Sequence, residues 1–242
     1  MSIKKFILDT IFPIQCLGCK KWDHWLCDNC LEKIILKKEQ CCPLCKKIIT
    51  PSGETCFNCK YKTALDGMLV ASFYKIKRQR TLLGKIIHSF KYRFIIPLHI
   101  PLSKILEKSL LDSHLPLPEI IIPVPLHGRR LRWRGFNQSL LMAQYLGDHL
   151  APGLEILVLK DSLIRQRYTL PQMQIKNRQQ RISNVAQAFI FNQKQFKRKL
   201  IRDKIILLVD DVSTTGSTLF ECAQVLKKCG AKKVYSVVLA RQ

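Results

Sequence analysis

Nine of the chain's eleven cysteines fall within its first 59 residues. Eight of these form four C-x-x-C pairs: Cys16/Cys19, Cys27/Cys30, Cys42/Cys45 and Cys56/Cys59. Cys41 stands beside the third pair. Two intervening residues let both sulfurs of a pair face one metal ion from a tight turn, and two such turns complete a tetrahedral site. Four turns suit two zinc ions. A segment this short buries too little apolar area to fold alone, and structural zinc, worth about 10–16 kcal/mol in small peptides, supplies the missing stability. A disulfide framework would need an oxidising compartment, and nothing in the sequence signals export. One redox pair beside a βαβ unit is a familiar arrangement, but four repeated pairs are not. Pairing in chain order, first with second and third with fourth, is the simplest arrangement; interleaved pairing and a single filled site stay open. Residues 1–62 are read as a zinc-binding domain ahead of a larger domain at 63–242.

The larger part alternates strand and helix patterns. "GMLVASFYK" is a strand, and "QRTLLGKIIHSFKYRF" sets Leu83, Ile86, Ile87 and Phe90 at helical spacing. "LSKILEKSLL" is a second amphipathic helix. "EIIIPVP" is a short continuous apolar run, the pattern of a parallel strand covered on both faces. A basic loop, a helix through "NQSLLMAQYLGDHL", the strand "LEILVL", a long polar loop and the strand "AFIF" follow. The charged run "KQFKRKLIRDK" is expected as a solvated hairpin or loop, and a strand–helix–strand unit closes the chain. Cys222 and Cys229, on that last helix, suit burial as small hydrophobes. The alternation predicts an α/β domain with a mostly parallel sheet flanked by helices.

Within the closing unit, "IILLVDDVSTTGSTL" (residues 205–219) carries two acids at the tip of an apolar strand. Ligands of open α/β sheets bind beyond the carboxyl ends of the strands. Asp210 and Asp211 are placed there. The following "VSTTGST" offers hydroxyls and backbone N–H groups at a helix start, where unsatisfied donors and the helix dipole favour an anion. Gly216 permits close backbone approach. Neighbouring carboxylates suit the two cis hydroxyls of a ribose, so the segment matches a 5-phosphorylated ribose held by both ends. It is no Walker loop, because GxxxxGK(S/T) is absent. Helix capping alone would account for one acid or hydroxyl, not for this run.

The net charge is +24, and residues 119–200 carry +10 of it. Such an excess favours polyanions: nucleic acid, phosphorylated small molecules or an anionic membrane surface. Tyr74, Tyr92, Phe94, Trp133, Phe136 and Tyr168 lie within basic stretches, where an aromatic ring can stack on a base or simply join the core. No apolar run approaches the roughly 20 residues needed to cross a bilayer. The amino-terminal "MSIKKFILDTIFPIQC" is interrupted by Asp9 and shows no small-residue cleavage site, so the protein is expected in the cytoplasm and not as an integral membrane protein.

The acid-and-hydroxyl stretch resembles the phosphoribosyl-pyrophosphate (PRPP) motif of type I phosphoribosyltransferases. "PVPLHGRRLRWRGFNQS" (123–139) and "RQRYTLPQMQIKNRQQRISNVAQAF" (165–189) resemble the ComF family, phosphoribosyltransferase-like proteins associated with natural competence for DNA uptake. Members of that family also carry amino-terminal C-x-x-C knuckles resembling a double zinc ribbon. Ile175 departs from the leucine more frequent at that position. The resemblance implies a type I phosphoribosyltransferase-like parallel sheet flanked by helices and preceded by a small zinc-ribbon domain. It implies that Asp210 and Asp211 bind ribose hydroxyls, with or without Mg²⁺, and that Ser213, Thr214, Thr215, Gly216, Ser217 and Thr218 cradle the 5-phosphate. It sets Arg129, Arg132 and Arg134, with Asn137 and Gln138, where pyrophosphate is received. Arginine forks suit phosphate oxygens there. Arg165, Arg167, Thr169, Gln172, Arg178, Arg181 and Asn184 lie on what resembles the mobile loop over the site, and Lys91 and Tyr92 end a basic amphipathic helix, where facing the same cleft and helix packing explain them equally.

Three functions follow from this reading. The first is a PRPP-binding protein that holds single-stranded DNA during uptake, in the cytoplasm, with the inner face of the membrane open to it through partners. The second is an active phosphoribosyltransferase of nucleotide salvage, for which no segment identifies the acceptor. The third is a zinc-ribbon scaffold that docks a helicase or other part of the DNA-import machinery.

Overall fold

A computed structural model describes residues 14–77, 79–168 and 178–241, with backbone alone at 178, 179, 181 and 182. In chain order its α-helices and strands are α1 (Asp28–Glu32), β1 (Gln40–Cys41), β2 (Ile49–Thr50), β3 (Gly67–Phe73), β4 (Lys75–Ile76), β5 (Gln79–Arg80), α2 (Leu82–Tyr92), α3 (His99–Leu111), β6 (Ile120–Pro123), α4 (Gly128–Arg134), α5 (Gln138–His149), β7 (Leu157–Val158), β8 (Leu163–Arg165), α6 (Arg178–Val185), β9 (Phe189–Phe191), β10 (Ile205–Ser213), α7 (Ser217–Lys228) and β11 (Lys233–Arg241).

Five strands form one parallel sheet in the order β7-β6-β10-β11-β3. Its central strand, β10, buries residues on both faces, which is why the sequence there is a continuous apolar run. Leu207 and Val209 pack with α2, α3 and α5, whereas Ile206 and Leu208 pack with α7. The stripe predicted for α2 is buried as expected: Leu83, Ile86, Ile87 and Phe90 are all in the core. Cys222 and Cys229 lie in the α7 layer as small apolar side chains. No helix among the described residues is long and apolar enough to cross a membrane.

The strand order sets the position of the site. From β6 the chain moves outward to β7, and from β10 it moves the other way to β11. The carboxyl ends of β6 and β10 therefore stand side by side, with Pro123 opposite Val209, at a topological switch point that leaves a crevice beyond them.

The exposed edge of β3 is closed by the cysteine-rich segment. Buried Gln40 donates from Nε2 to the Val70 carbonyl at 3.0 Å and accepts from the Val70 N–H at 3.1 Å. Isolated bridges Leu36–Ser72 and Glu54–Gly67 extend this cover, and Ile34 enters the main core. An edge strand sealed in this way offers no template for pairing with another chain.

Two segments differ from the sequence expectation. The basic loop after β6 is helix α4. His127 Nδ1 accepts from the Arg129 N–H at 3.2 Å to cap its start, and Gly135 ends it in the left-handed region at φ 79°. Its charged residues hid a helix with no buried side chain. The long polar loop holds β8 and α6, and "AFIF" pairs antiparallel with β8 outside the main sheet. Three-residue strands carry too little periodicity to be assigned to a sheet.

Candidate functional site: two cysteine clusters and an arginine-lined cleft

The eight cysteines of the four pairs gather in chain order into two groups: Cys16, Cys19, Cys27 and Cys30, and Cys42, Cys45, Cys56 and Cys59. In each group the sulfurs lie within 4.8 Å of one another. Separations of 3.7 Å (Cys16–Cys27), 3.6 Å (Cys19–Cys27) and 3.9 Å (Cys45–Cys56) match the edge of a tetrahedron whose centre lies about 2.3 Å from each sulfur, roughly 3.8 Å. The two groups are built alike. In each, the lysine after the first pair takes a left-handed φ (Lys20, 68°; Lys46, 60°) and returns its N–H to the first cysteine's carbonyl at 3.0 Å. The second pair of each group opens a helical turn, Cys27 to Cys30 and Cys56 to Cys59. Gly18 admits the Cys30 sulfur, which would lie 2.6 Å from a Cβ there. Burial and the neighbouring sulfurs push the Cys30 and Cys59 thiols up to about 12, so four thiolates coexist only around a cation. The donor set is that of structural zinc. Cys41 belongs to neither group.

Beyond the paired ends of β6 and β10 lies a cleft of about 590 Å³. Its floor carries Asp210 and Asp211. Ser139, near the start of α5, donates to Asp210 Oδ1 at 3.1 Å, and the Asp211 N–H donates to the same oxygen at 2.9 Å. Lys91, near the end of α2, holds Asp211 Oδ1 at 2.8 Å. Burial, and then the charge of Asp211, push the Asp210 carboxyl up to about 7 although Lys91 and its hydrogen bonds pull the other way. Lys91 is the direct ion-pair partner of Asp211, and the Arg134 guanidinium lies within electrostatic reach of both acids.

The loop after β10 turns at Gly216, whose φ is 89° and where a Cβ would stand 3.0 Å from the Phe220 ring. Ser213, Thr214, Gly216, Ser217 and Thr218 line the cleft. Thr215 does not. It is buried with its hydroxyl on that of Ser217, at 2.5 Å, and so shapes the loop.

The opposite wall is arginine-rich, with Arg129, Arg130, Arg134 and Arg165. Arg134 donates from Nη1 to Gln138 Oε1 at 2.7 Å. Among the described residues, Arg134 Nε, Gln138 Nε2 and Ser213 Oγ are buried without a hydrogen-bond partner, and all three residues line this cleft. Orphaned buried polar atoms are rare in native folds. Three around one crevice point to a polar occupant.

The phosphoribosyl transferase domain family matches residues 143–242. Competence protein F of Haemophilus influenzae is 31% identical over 243 residues, covering 96% of this chain and 99% of that protein. The DNA utilization protein YhgH of Escherichia coli O157:H7 is 31% identical over 223 residues, covering 90% of this chain and 91% of that protein. Competence protein ComFC of Bacillus subtilis is 26% identical over 228 residues, covering 91% and 86%. The chain belongs to the ComF family. The phosphoribosyltransferase-type sheet and the two cysteine groups expected from the resemblance are both present.

The remaining candidates of this ComF-family protein divide by position. Arg132 is exposed and does not line the cleft. Asn137 is occupied with structure: its Oδ1 accepts from the Ser139 N–H at 3.1 Å and its Nδ2 donates to the Val124 carbonyl at 3.1 Å. Arg167 donates from Nη2 to the carbonyls of Ser183, Asn184 and Ala186, at 3.3, 3.1 and 2.8 Å, and so ties down the end of α6. Arg178 and Arg181 lie on the backbone of α6. Thr169 and Gln172 lie outside the described residues. Sequence reasoning left Ser139 and Arg130 out of the site. A serine at a helix start carries no signal beyond capping, and Arg130 is distinguishable from Arg132 only once α4 is recognised as a helix.

Proposed function

We propose that this ComF-family protein binds PRPP in the cleft and single-stranded DNA along its arginine-rich wall, and acts in DNA uptake in the cytoplasm. One observation carries the reading. The acid-and-hydroxyl loop and the arginine wall meet at a single switch point, and Arg134, Gln138 and Ser213, whose Nε, Nε2 and Oγ are buried without a partner, all line that crevice. Ribose hydroxyls would lie on Asp210 and Asp211, and the 5-phosphate on Thr214, Gly216, Ser217 and Thr218. Pyrophosphate would lie toward Arg129, Arg130 and Arg134. Mg²⁺ would add further positive charge beside the acid pair. Arg165 lines the same wall from β8, where it is buried and its charge is felt by Asp210. The names of the relatives, competence and DNA utilization proteins, support the cellular role, and the net charge of +24 supports a polyanionic partner.

Isothermal titration of the zinc-loaded chain with PRPP and Mg²⁺, beside Asp211→Ala, tests the pocket. Loss of PRPP binding in a folded Asp211→Ala protein is expected; equal affinity in both proteins overturns the assignment. Pyrophosphate release during incubation with nucleobases separates simple binding from transfer.

A further inference from the structure

Six aromatic residues lie in basic stretches, and the structure sorts them. Tyr74 is buried, Phe136 packs against the core, and Tyr168 is exposed in the cleft apart from the other rings, against His127 and with the Arg129 guanidinium 5.3 Å from its ring. Tyr92, Phe94 and Trp133 stay 44%, 40% and 59% exposed, and Trp133 meets each of the other two rings. The Phe94 and Trp133 rings meet edge to face at 5.3 Å, and the Tyr92 and Trp133 rings lie 6.3 Å apart. Tyr92 and Trp133 also line the cleft. Arg134 spans the two, its guanidinium 5.9 Å from the Tyr92 ring and 5.7 Å from the Trp133 ring.

Three rings exposed together run against the hydrophobic effect, and this fold spends backbone strain to keep one there. Phe94 has φ 54°, a left-handed conformation that is unfavourable for a bulky residue. The ledge adjoins Lys91, one residue before Tyr92, whose ammonium holds Asp211. A flat apolar surface, bordered by guanidinium and opening onto a phosphate-compatible cleft, has the chemistry of a base-stacking platform.

We infer that Tyr92, Phe94 and Trp133 seat an unpaired nucleobase beside the cleft. The inference rests on the nucleic-acid reading given above and deepens it. The base belongs either to a DNA strand or to a free nucleobase or nucleoside, and both offer the same π face.

The test is fluorescence anisotropy of a labelled twelve-residue oligodeoxythymidylate and of an abasic strand of equal length, with the full zinc-loaded chain. Wild type is compared with Trp133→Ala and Phe94→Asn. Asparagine tolerates the left-handed region, so the second variant removes the ring without disturbing the backbone. Stacking on one base is worth roughly 5- to 150-fold in affinity. Each variant is expected to lose about tenfold on the thymidylate strand and nothing on the abasic one. Competition by millimolar free thymine or thymidine that depends on Trp133 assigns a free base to the ledge; its absence assigns the base of a strand. Equal wild-type affinity for both strands, with neutral variants, overturns the ledge and leaves the phosphate-binding reading standing. Variants that convert a dimer to a monomer without altering strand affinity make the ledge a self-contact and overturn it too. No wild-type binding to either strand removes the nucleic-acid reading and the ledge together.

Discussion

Arg241, the last residue of β11, donates from Nη2 to the carbonyl of Pro43 at 2.6 Å. Pro43 lies between Cys42 and Cys45 of the second cysteine group. The same guanidinium reaches the carbonyls of Thr214 and Thr215 at 3.5 and 3.4 Å, and Lys46 reaches the Thr214 carbonyl at 3.5 Å. The second knuckle and the loop after β10 thus share one arginine, which predicts that order at the cysteine group carries over to the proposed phosphate cradle. Arg241→Ala is expected to weaken PRPP binding about tenfold, the scale of one charge-assisted hydrogen bond, while zinc content stays unchanged. Hydrogen exchange at residues 213–218 should speed up in Arg241→Ala and, equally, in Cys42→Ser. Unchanged exchange in both variants would mean that the loop holds its shape without the knuckle.

Lys91 and Asp211 form an ion pair with side chains only 17% and 10% exposed. Removing one partner of a fully buried pair costs about 3–5 kcal/mol, and the remaining exposure at this pair brings the expectation for Lys91→Met down to about 1–3 kcal/mol. The loss arises because Asp211 then lacks its direct ion-pair partner while still facing Asp210. Calorimetry should show most of it recovered in Lys91→Met/Asp211→Ala, since that double variant no longer carries the uncompensated charge. A double variant as unstable as the sum of the two singles would assign the cost to packing instead.

The Asp210 carboxyl titrates near 7, well above its ordinary 3.8, with burial as the main cause. Between these values the folded chain keeps a proton that the unfolded chain has released, so stability falls as pH rises from about 4 to about 7. Above 7 the penalty is fully present. Asp210→Asn, which still accepts from Ser139, is therefore expected to melt about 2–6 °C higher than wild type at pH 8 and to show no gain near pH 4. The same variant should lose PRPP affinity, the usual conflict between a stable site and a working one. A wild-type melting temperature that is flat across pH 4–8 would place the Asp210 titration elsewhere.

The parts of this fold that were legible in the sequence are those governed by local rules. Leu207, Val209 and their neighbours read as a strand covered on both faces, because the apolar run before the acids is too short for a buried helix. Cysteine spacing likewise picked out the eight residues that gather, and chain-order pairing is what the geometry brings together. What stayed hidden depends on contacts distant in sequence. Arg134 and Arg132 are two residues apart in one basic run, yet α4 turns one into the cleft and leaves the other in solvent. Ser139 became a partner of Asp210 only through the packing of α5 beside β10. Thr215 looks like its neighbours in sequence, but its hydroxyl is turned onto Ser217.

That division of the arginines yields a last expectation, on salt. Association with single strands weakens with added salt by about 0.7 log units per log unit for each phosphate neutralised. Arg130 lines the cleft, whereas Arg132 is exposed outside it. If a strand runs along α4, Arg130→Ala and Arg132→Ala should each flatten the log–log slope by about 0.7. Only Arg130→Ala should also weaken PRPP binding, because only that side chain reaches the cleft where pyrophosphate is proposed to lie. Anisotropy over a salt series, repeated with saturating PRPP and Mg²⁺, measures both effects. With PRPP present the contribution of Arg130 to the slope should disappear while that of Arg132 persists, since a charge already engaged by pyrophosphate releases no further counterions. A slope unaffected by either substitution would move the strand off α4 altogether.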